Sequence, residues 1–111
     1  MAILSSHLLN SVNGTHASGV KVIINQISSS GIKKKFFETQ TDDGGRILKE
    51  FELSNEDCAS EYEMICKTAD YFSEKKIISE IVIKFKMEDP KKKYHLPIII
   101  SPNGYSIWWS E

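Results

Sequence analysis

No run of β-prone residues in this chain goes far before turn chemistry ends it, and that rhythm limits the fold more than any other feature of the sequence. Ala2 to Leu9 is broken at Asn10 to Gly14, and Val20 to Ile27, rich in Val and Ile, stops at Ser28-Ser29-Ser30-Gly31. Lys33 to Thr39 gives way to Thr41-Asp42-Asp43-Gly44-Gly45, where two glycines can take positive φ, and Arg46 to Leu53 follows. Tyr62 to Thr68 places Tyr, Met and Cys on one parity and Glu, Ile and Lys on the other, the mark of a half-buried strand. Ile77 to Met87, Tyr94 to Ser101 and Tyr105 to Trp109 complete the set, the last two separated by Pro102-Asn103-Gly104. Ala69 to Lys76 has helical composition but spans only about two turns, too few to stand without docking. About eight strands and one short helix predict an all-β fold, a two-sheet antiparallel β-sandwich.

The 111 residues suffice for one domain, 1–111, that buries its own core. Fourteen basic against 15 acidic side chains leave a formal net charge of -1, which supplies no general attraction to nucleic acid or anionic lipid. Cys58 and Cys66 have neither C-x-x-C spacing nor a nearby His pair, so they read as reduced thiols rather than as a disulfide or metal site. The opening MAILSSHLLN lacks the basic and long apolar parts of a signal peptide, and no run reaches the length of a membrane span. These features predict a cytoplasmic protein with no membrane or nucleic-acid partner.

The final strands are apolar on both parities, through Ile98, Ile99, Ile100, Ile107, Trp108 and Trp109. One sandwich core absorbs a single parity, so the other face is expected to meet another chain, with the tryptophans at the contact. Three histidines complete the chemistry. His7 and His95 stand inside apolar strands, where an imidazole needs a partner or a task, whereas His16 lies in the polar stretch Asn13-Gly14-Thr15-His16 and reads as a solvated side chain. No zinc spacing occurs, and the residues alone leave His7 and His95 open between structural hydrogen bonding and catalysis.

Four segments carry a resemblance: SSHLLN, TDDGGR, YHLP running into IIISPNGYS, and TADYF. In this order they resemble the 5-hydroxyisourate hydrolases, the enzymes related to transthyretin, over essentially the whole chain. His7, Leu9 and Asn10 match the family's opening stretch, with Leu8 replacing a β-branched residue. Thr41, Asp42, Gly45 and Arg46 match its Gly-Arg turn, with Gly44 where an acid is usual, and Tyr94, His95, Pro97, Ser101 and Pro102 match its Tyr-His-Val-Pro and Ser-Pro stretch.

The resemblance implies a transthyretin-like sandwich, a homotetramer built as a dimer of dimers, and sites in the channel between dimers. It implies hydrolysis of 5-hydroxyisourate to 2-oxo-4-hydroxy-4-carboxy-5-ureidoimidazoline in urate breakdown, a cyclic-amide hydrolysis that needs neither cofactor nor metal. His7, Arg46 and His95 fall on the family's catalytic His, Arg and His, a trio that transthyretin, its hormone carrier, does not keep. One histidine would serve as base, with His7 slightly ahead of His95, and Arg46 would orient substrate and stabilise the oxyanion. The family's ending, Gly-Tyr-Ser-Thr-Tyr-Arg-Gly-Ser, is altered after Gly104-Tyr105-Ser106 to Ile107, Trp108, Trp109, Ser110 and Glu111. Trp108, in the tyrosine's place, joins the substrate-binding set and narrows the pocket. The alternative implied by that ending is a transthyretin-like protein without hydrolysis, or with an altered substrate, binding an aromatic ligand in a Trp-lined inter-subunit channel.

Overall fold

The computed structural model describes residues 1–73 and 77–110. Among the described residues nine strands and two short helices run in the order β1 (Ala2–Asn10), β2 (Thr15–His16), β3 (Lys21–Ile27), β4 (Lys33–Gln40), β5 (Arg46–Phe51), α1 (Asn55–Ala59), β6 (Glu61–Cys66), α2 (Thr68–Tyr71), β7 (Ile81–Lys86), β8 (Lys93–Ser101) and β9 (Gly104–Ile107). Two sheets form. One follows the order β2-β1-β8-β9 with β5 also paired to β1, and the other follows β4-β3-β6-β7. Leu4, Leu8, Val22, Ile24, Tyr62, Met64, Ile81, Ile98 and Ile100 fill the space between them. The parity expected for β6 holds, since Tyr62, Met64 and Cys66 all point inward and are fully buried.

The all-β sandwich is therefore present, with particular departures. β1 and β8 pair in parallel over eight positions, from Ile3↔Lys93 to Asn10↔Ile100, inside an otherwise antiparallel sheet. Tight hairpins dictate antiparallel neighbours, but β1 and β8 are joined through the whole of the opposite sheet, so no turn sets their relative direction. Ser6 reinforces the pairing, its buried Oγ donating to the Leu96 carbonyl at 2.6 Å.

The strand expected from Ile77 begins only at Ile81, because its partner β6 ends at Cys66↔Ile81 and offers no further ladder. Ile77 is 97% exposed. The helix expected over Ala69 to Lys76 is the single turn α2, with Phe72 packed into the core; residues 74–76 lie outside the described residues. Helix α1 was not anticipated. It buries none of its side chains, so no apolar period marks it, yet Ser54 and Asp57 form a capping box, Asp57 N donating to Ser54 Oγ at 3.1 Å and Ser54 N to Asp57 Oδ2 at 3.0 Å. Both cysteines are free thiols, and burial pushes the Cys66 thiol up to about 12. Among the described residues no helix is long and apolar enough to cross a membrane.

Candidate active site

Alternation along β1 decides which side chains leave the core. Ala2, Leu4, Ser6, Leu8 and Asn10 are buried, while Ile3, His7 and Leu9 on the other parity are half-buried on the sheet's outer face. Residues in register lie side by side on one face, so the pairing of β5, β1 and β8 lays out that face row by row. Arg46 sits beside His7, and Pro97 is on His7's other side. The adjacent row holds Leu48, Ser5 and His95, and the row beyond His7 holds His16, Leu9, Ile99 and Ser106. Past β9 the chain stays against β8, with Trp108 N donating to Pro97 O at 3.4 Å and Ser110 N to His95 O at 2.9 Å. Trp108 thus extends the row of Arg46, His7 and Pro97.

His7, Arg46, His95 and Trp108 are accordingly brought onto one surface, although 39 residues separate His7 from Arg46 and 49 separate Arg46 from His95. His16 joins them. It is exposed, as its polar surroundings suggest, but it is not a lone solvated ring: its Nδ1 lies 2.9 Å from His7 Nε2, and the two rings meet edge to edge with centroids 5.0 Å apart and planes inclined by 29°. Sequence reading missed this contact. The available signal was the Asn-Gly pair at Asn13-Gly14, a hairpin cue that folds His16 back beside Leu9.

The electrostatics follow from these neighbours. Burial lowers the His7 pKa below 6.5, Arg46 and His16 lower it further, and the Gly44 backbone acts in the opposite direction by accepting a ring N–H. His95 is also lowered, first by burial and then by Lys93 and Arg46, against a hydrogen bond to the Ser5 backbone. Ser5 Oγ stands 2.7 Å from His95 Nδ1. Both imidazoles are therefore held neutral near pH 7 beside a permanently charged guanidinium. A neutral ring can accept a proton, and the cations that keep it neutral suit an anionic molecule with planar carbonyls. Among the described residues no group of three or more His, Cys, Asp or Glu is placed to hold a metal ion.

The Gly-Arg turn is shaped for this approach. Asp42 Oδ1 accepts from the amides of Gly44 and Arg46, each at 2.9 Å, and Gly45 takes φ +73°. A Cβ at Gly45 would lie 2.5 Å from Leu8 O and 3.2 Å from His16 Cβ, so only glycine lets the turn close onto β1 and β2. A separate groove of about 520 Å³ lies between β7 and β8, lined by Phe85, Lys86, Tyr94, Leu96 and Trp109. The Lys92 ammonium sits 5.5 Å from the Trp109 ring centroid at its edge. None of the histidines or Arg46 lines it; in the isolated protomer His16 and Arg46 are exposed, and His7 and His95 are half-buried.

The sequence model of the HIUase/Transthyretin family matches residues 4–109. The 5-hydroxyisourate hydrolase of Salmonella typhimurium is 33% identical over 109 residues, 96% of this chain and 79% of that protein. Among solved structures, the 5-hydroxyisourate hydrolase of Klebsiella pneumoniae superposes with a TM-score of 0.77 at 23% identity, covering all of both chains. The transthyretin of Sparus aurata superposes with a TM-score of 0.84 at 21% identity, covering 96% of this chain and 95% of the other. The fold is thus transthyretin-like.

Proposed function

The chain belongs to the HIUase/Transthyretin family, and from that premise we propose that it hydrolyses 5-hydroxyisourate, opening the cyclic amide with water in urate breakdown. The observation that carries this reading is the shared outer face of β5, β1 and β8, where Arg46, His7 and His95 stand in neighbouring rows. Relatives named 5-hydroxyisourate hydrolase supply the substrate; the geometry supplies the means.

Water must lose a proton as it adds to the carbonyl carbon, the carbonyl oxygen gathers negative charge, and the ring nitrogen must gain a proton as the C–N bond breaks. The sequence put His7 slightly ahead as base, but His7 Nε2 is engaged by His16 Nδ1 at 2.9 Å, whereas Ser5 Oγ meets His95 at Nδ1, 2.7 Å away and across the ring from Nε2. In this reading Ser5 Oγ accepts from His95 Nδ1–H. That leaves the lone pair on His95 Nε2 to take the proton from water and return it to the leaving nitrogen. Arg46 orients the substrate's carbonyls and stabilises the oxyanion, a contribution of about 10²- to 10³-fold in rate for a well-placed donor. His7, beside Arg46, borders the other edge of the substrate ring, and Trp108 limits the space at the end of that row.

Residues 1–111 act in this reading as one domain and assemble as a dimer of dimers. The support is apolar exposure on the site face, where Leu48 and Trp108 are 65% and 47% exposed, which a facing subunit would cover while closing a channel over the cluster. The two free thiols match a reducing compartment, the cytoplasm. The test is direct: purified protein added to freshly generated 5-hydroxyisourate should accelerate the decay of its ultraviolet absorbance. Decay at the buffer rate with folded protein removes the proposal.

A further inference from the structure

His16 is the ring in the cluster that the proposed hydrolysis does not use, and several features hold it where it is. Asn13 Oδ1 accepts from Thr15 N at 3.0 Å and Thr15 Oγ1 at 2.7 Å, and Gly14 N donates to Asn10 O at 2.8 Å, closing the hairpin. Ala17 N then donates to Leu8 O at 2.9 Å, which seats β2 against the end of β1. From the other side the Gly45 backbone approaches so closely that a side chain there would press on His16 Cβ. The contact with His7 is therefore built by two turns, one from each neighbouring strand.

We propose that His16 is a positioning residue for His7, fixing through the 2.9 Å Nδ1 to Nε2 contact how the His7 ring is turned toward Arg46 and which of its nitrogens bears the proton. Two nitrogens at that distance share one proton between them, since two lone pairs or two N–H groups would repel. With Nε2 committed to His16, the His7 ring cannot flip freely, and the direction of the N–H···N bond fixes its tautomer. The two ring planes are inclined by only 29°, as an in-plane N–H···N bond allows.

His16, Arg46 from β5 and His95 from β8 are the charged or titratable groups acting on His7, and each opposes its protonation. The bond itself stands on geometry, while its consequence for turnover rests on the hydrolase reading.

Two variants separate the parts: His16→Ala removes the contact and the charge, whereas His16→Asn keeps a hydrogen-bonding atom in the Nδ1 position but cannot titrate. The first readout is ¹⁵N NMR of the histidine ring nitrogens across pH 5 to 9, with no substrate present. In the unaltered protein His7 should show a single tautomer at the alkaline end, His16→Ala should show a mixture, and His16→Asn should restore the single form. His7 in His16→Asn should titrate at higher pH, because the His16 ring, which opposes its protonation, is gone. The second readout is kcat/KM for 5-hydroxyisourate. It should fall about fivefold in His16→Ala, the worth of one ordinary hydrogen bond, and recover in His16→Asn. Unchanged His7 nitrogen shifts and midpoint in both variants overturn the proposal. Absence of turnover in the unaltered protein would sink the hydrolase reading alone, since the NMR readout decides the histidine pair without it.

Discussion

Gly45→Ala tests how closely the Gly-Arg turn approaches the first strand, and Gly14→Ala is its control. Both glycines adopt nearly the same left-handed backbone, φ +73° and +74°, so both substitutions carry the same intrinsic penalty. That penalty is about 1 kcal/mol once the reduced freedom of the unfolded chain is set against it. The surroundings differ completely. Around Gly14 a Cβ meets nothing within 4 Å, whereas at Gly45 it meets Leu8 O at 2.5 Å and Ala17 N at 3.1 Å, both backbone atoms held in hydrogen bonds. To relieve the contact the turn must lift from β1, which strains or breaks the 2.8 Å bond from Leu8 N to Gly45 O. Displaced packing costs roughly 1–3 kcal/mol and a lost backbone hydrogen bond about 1 kcal/mol more. Gly45→Ala should thus destabilise by about 3–5 kcal/mol, against about 1 kcal/mol for Gly14→Ala. At this chain length the larger figure lowers Tm by roughly 12–20 °C. Denaturant or thermal unfolding at one fixed protein concentration reads both, the concentration being held because assembly would shift the midpoint. Equal losses in the two variants would show that the turn does not approach β1 as described.

His95→Asn and Arg46→Glu should each lower turnover of 5-hydroxyisourate by at least about 10²-fold while the circular dichroism spectrum stays unchanged; retained activity in either removes that residue from the site. Because burial and nearby cations hold His7 and His95 below 6.5, the acidic limb of kcat/KM, set by His95 gaining a proton, should have its midpoint below pH 6.5; a midpoint above 6.5 contradicts this. The same depressed values make the unfolded chain bind protons before the folded one does, so stability should begin to drop as pH falls through about 6.5 and level off below the folded-state values, measured as a urea midpoint against pH. Tyr62→Phe should cost about 1–3 kcal/mol, since the buried hydroxyl donates to Asp57 O at 2.8 Å and accepts from Gln26 Nε2 at 3.0 Å, and its loss leaves both groups short of a partner.

Strand positions, the half-buried parity of β6 and the turns at Gly14 and Gly45 were legible in the string because they are local: a period of two and a glycine between polar residues report on neighbours a few positions away. The trio of His7, Arg46 and His95 was legible through motif resemblance, which carries information about three dimensions that periodicity lacks. Helix α1 was written in the Ser54 and Asp57 pair but lay hidden beneath the absence of any apolar face. What the string could not convey is lateral order. Whether β1 and β8 run parallel is set by how the whole opposite sheet returns the chain, and the register Ser5↔His95 and His7↔Pro97 follows from that pairing alone. His16 makes the point most plainly. Its composition of neighbours describes an exposed loop residue, and it is exposed; only the hairpin and the Gly45 approach, acting from two sides, turn that exposed ring onto His7. Side-chain type and local period are properties of the chain, whereas a contact between rings on separate strands exists only once hydrogen-bonded register has put those strands side by side.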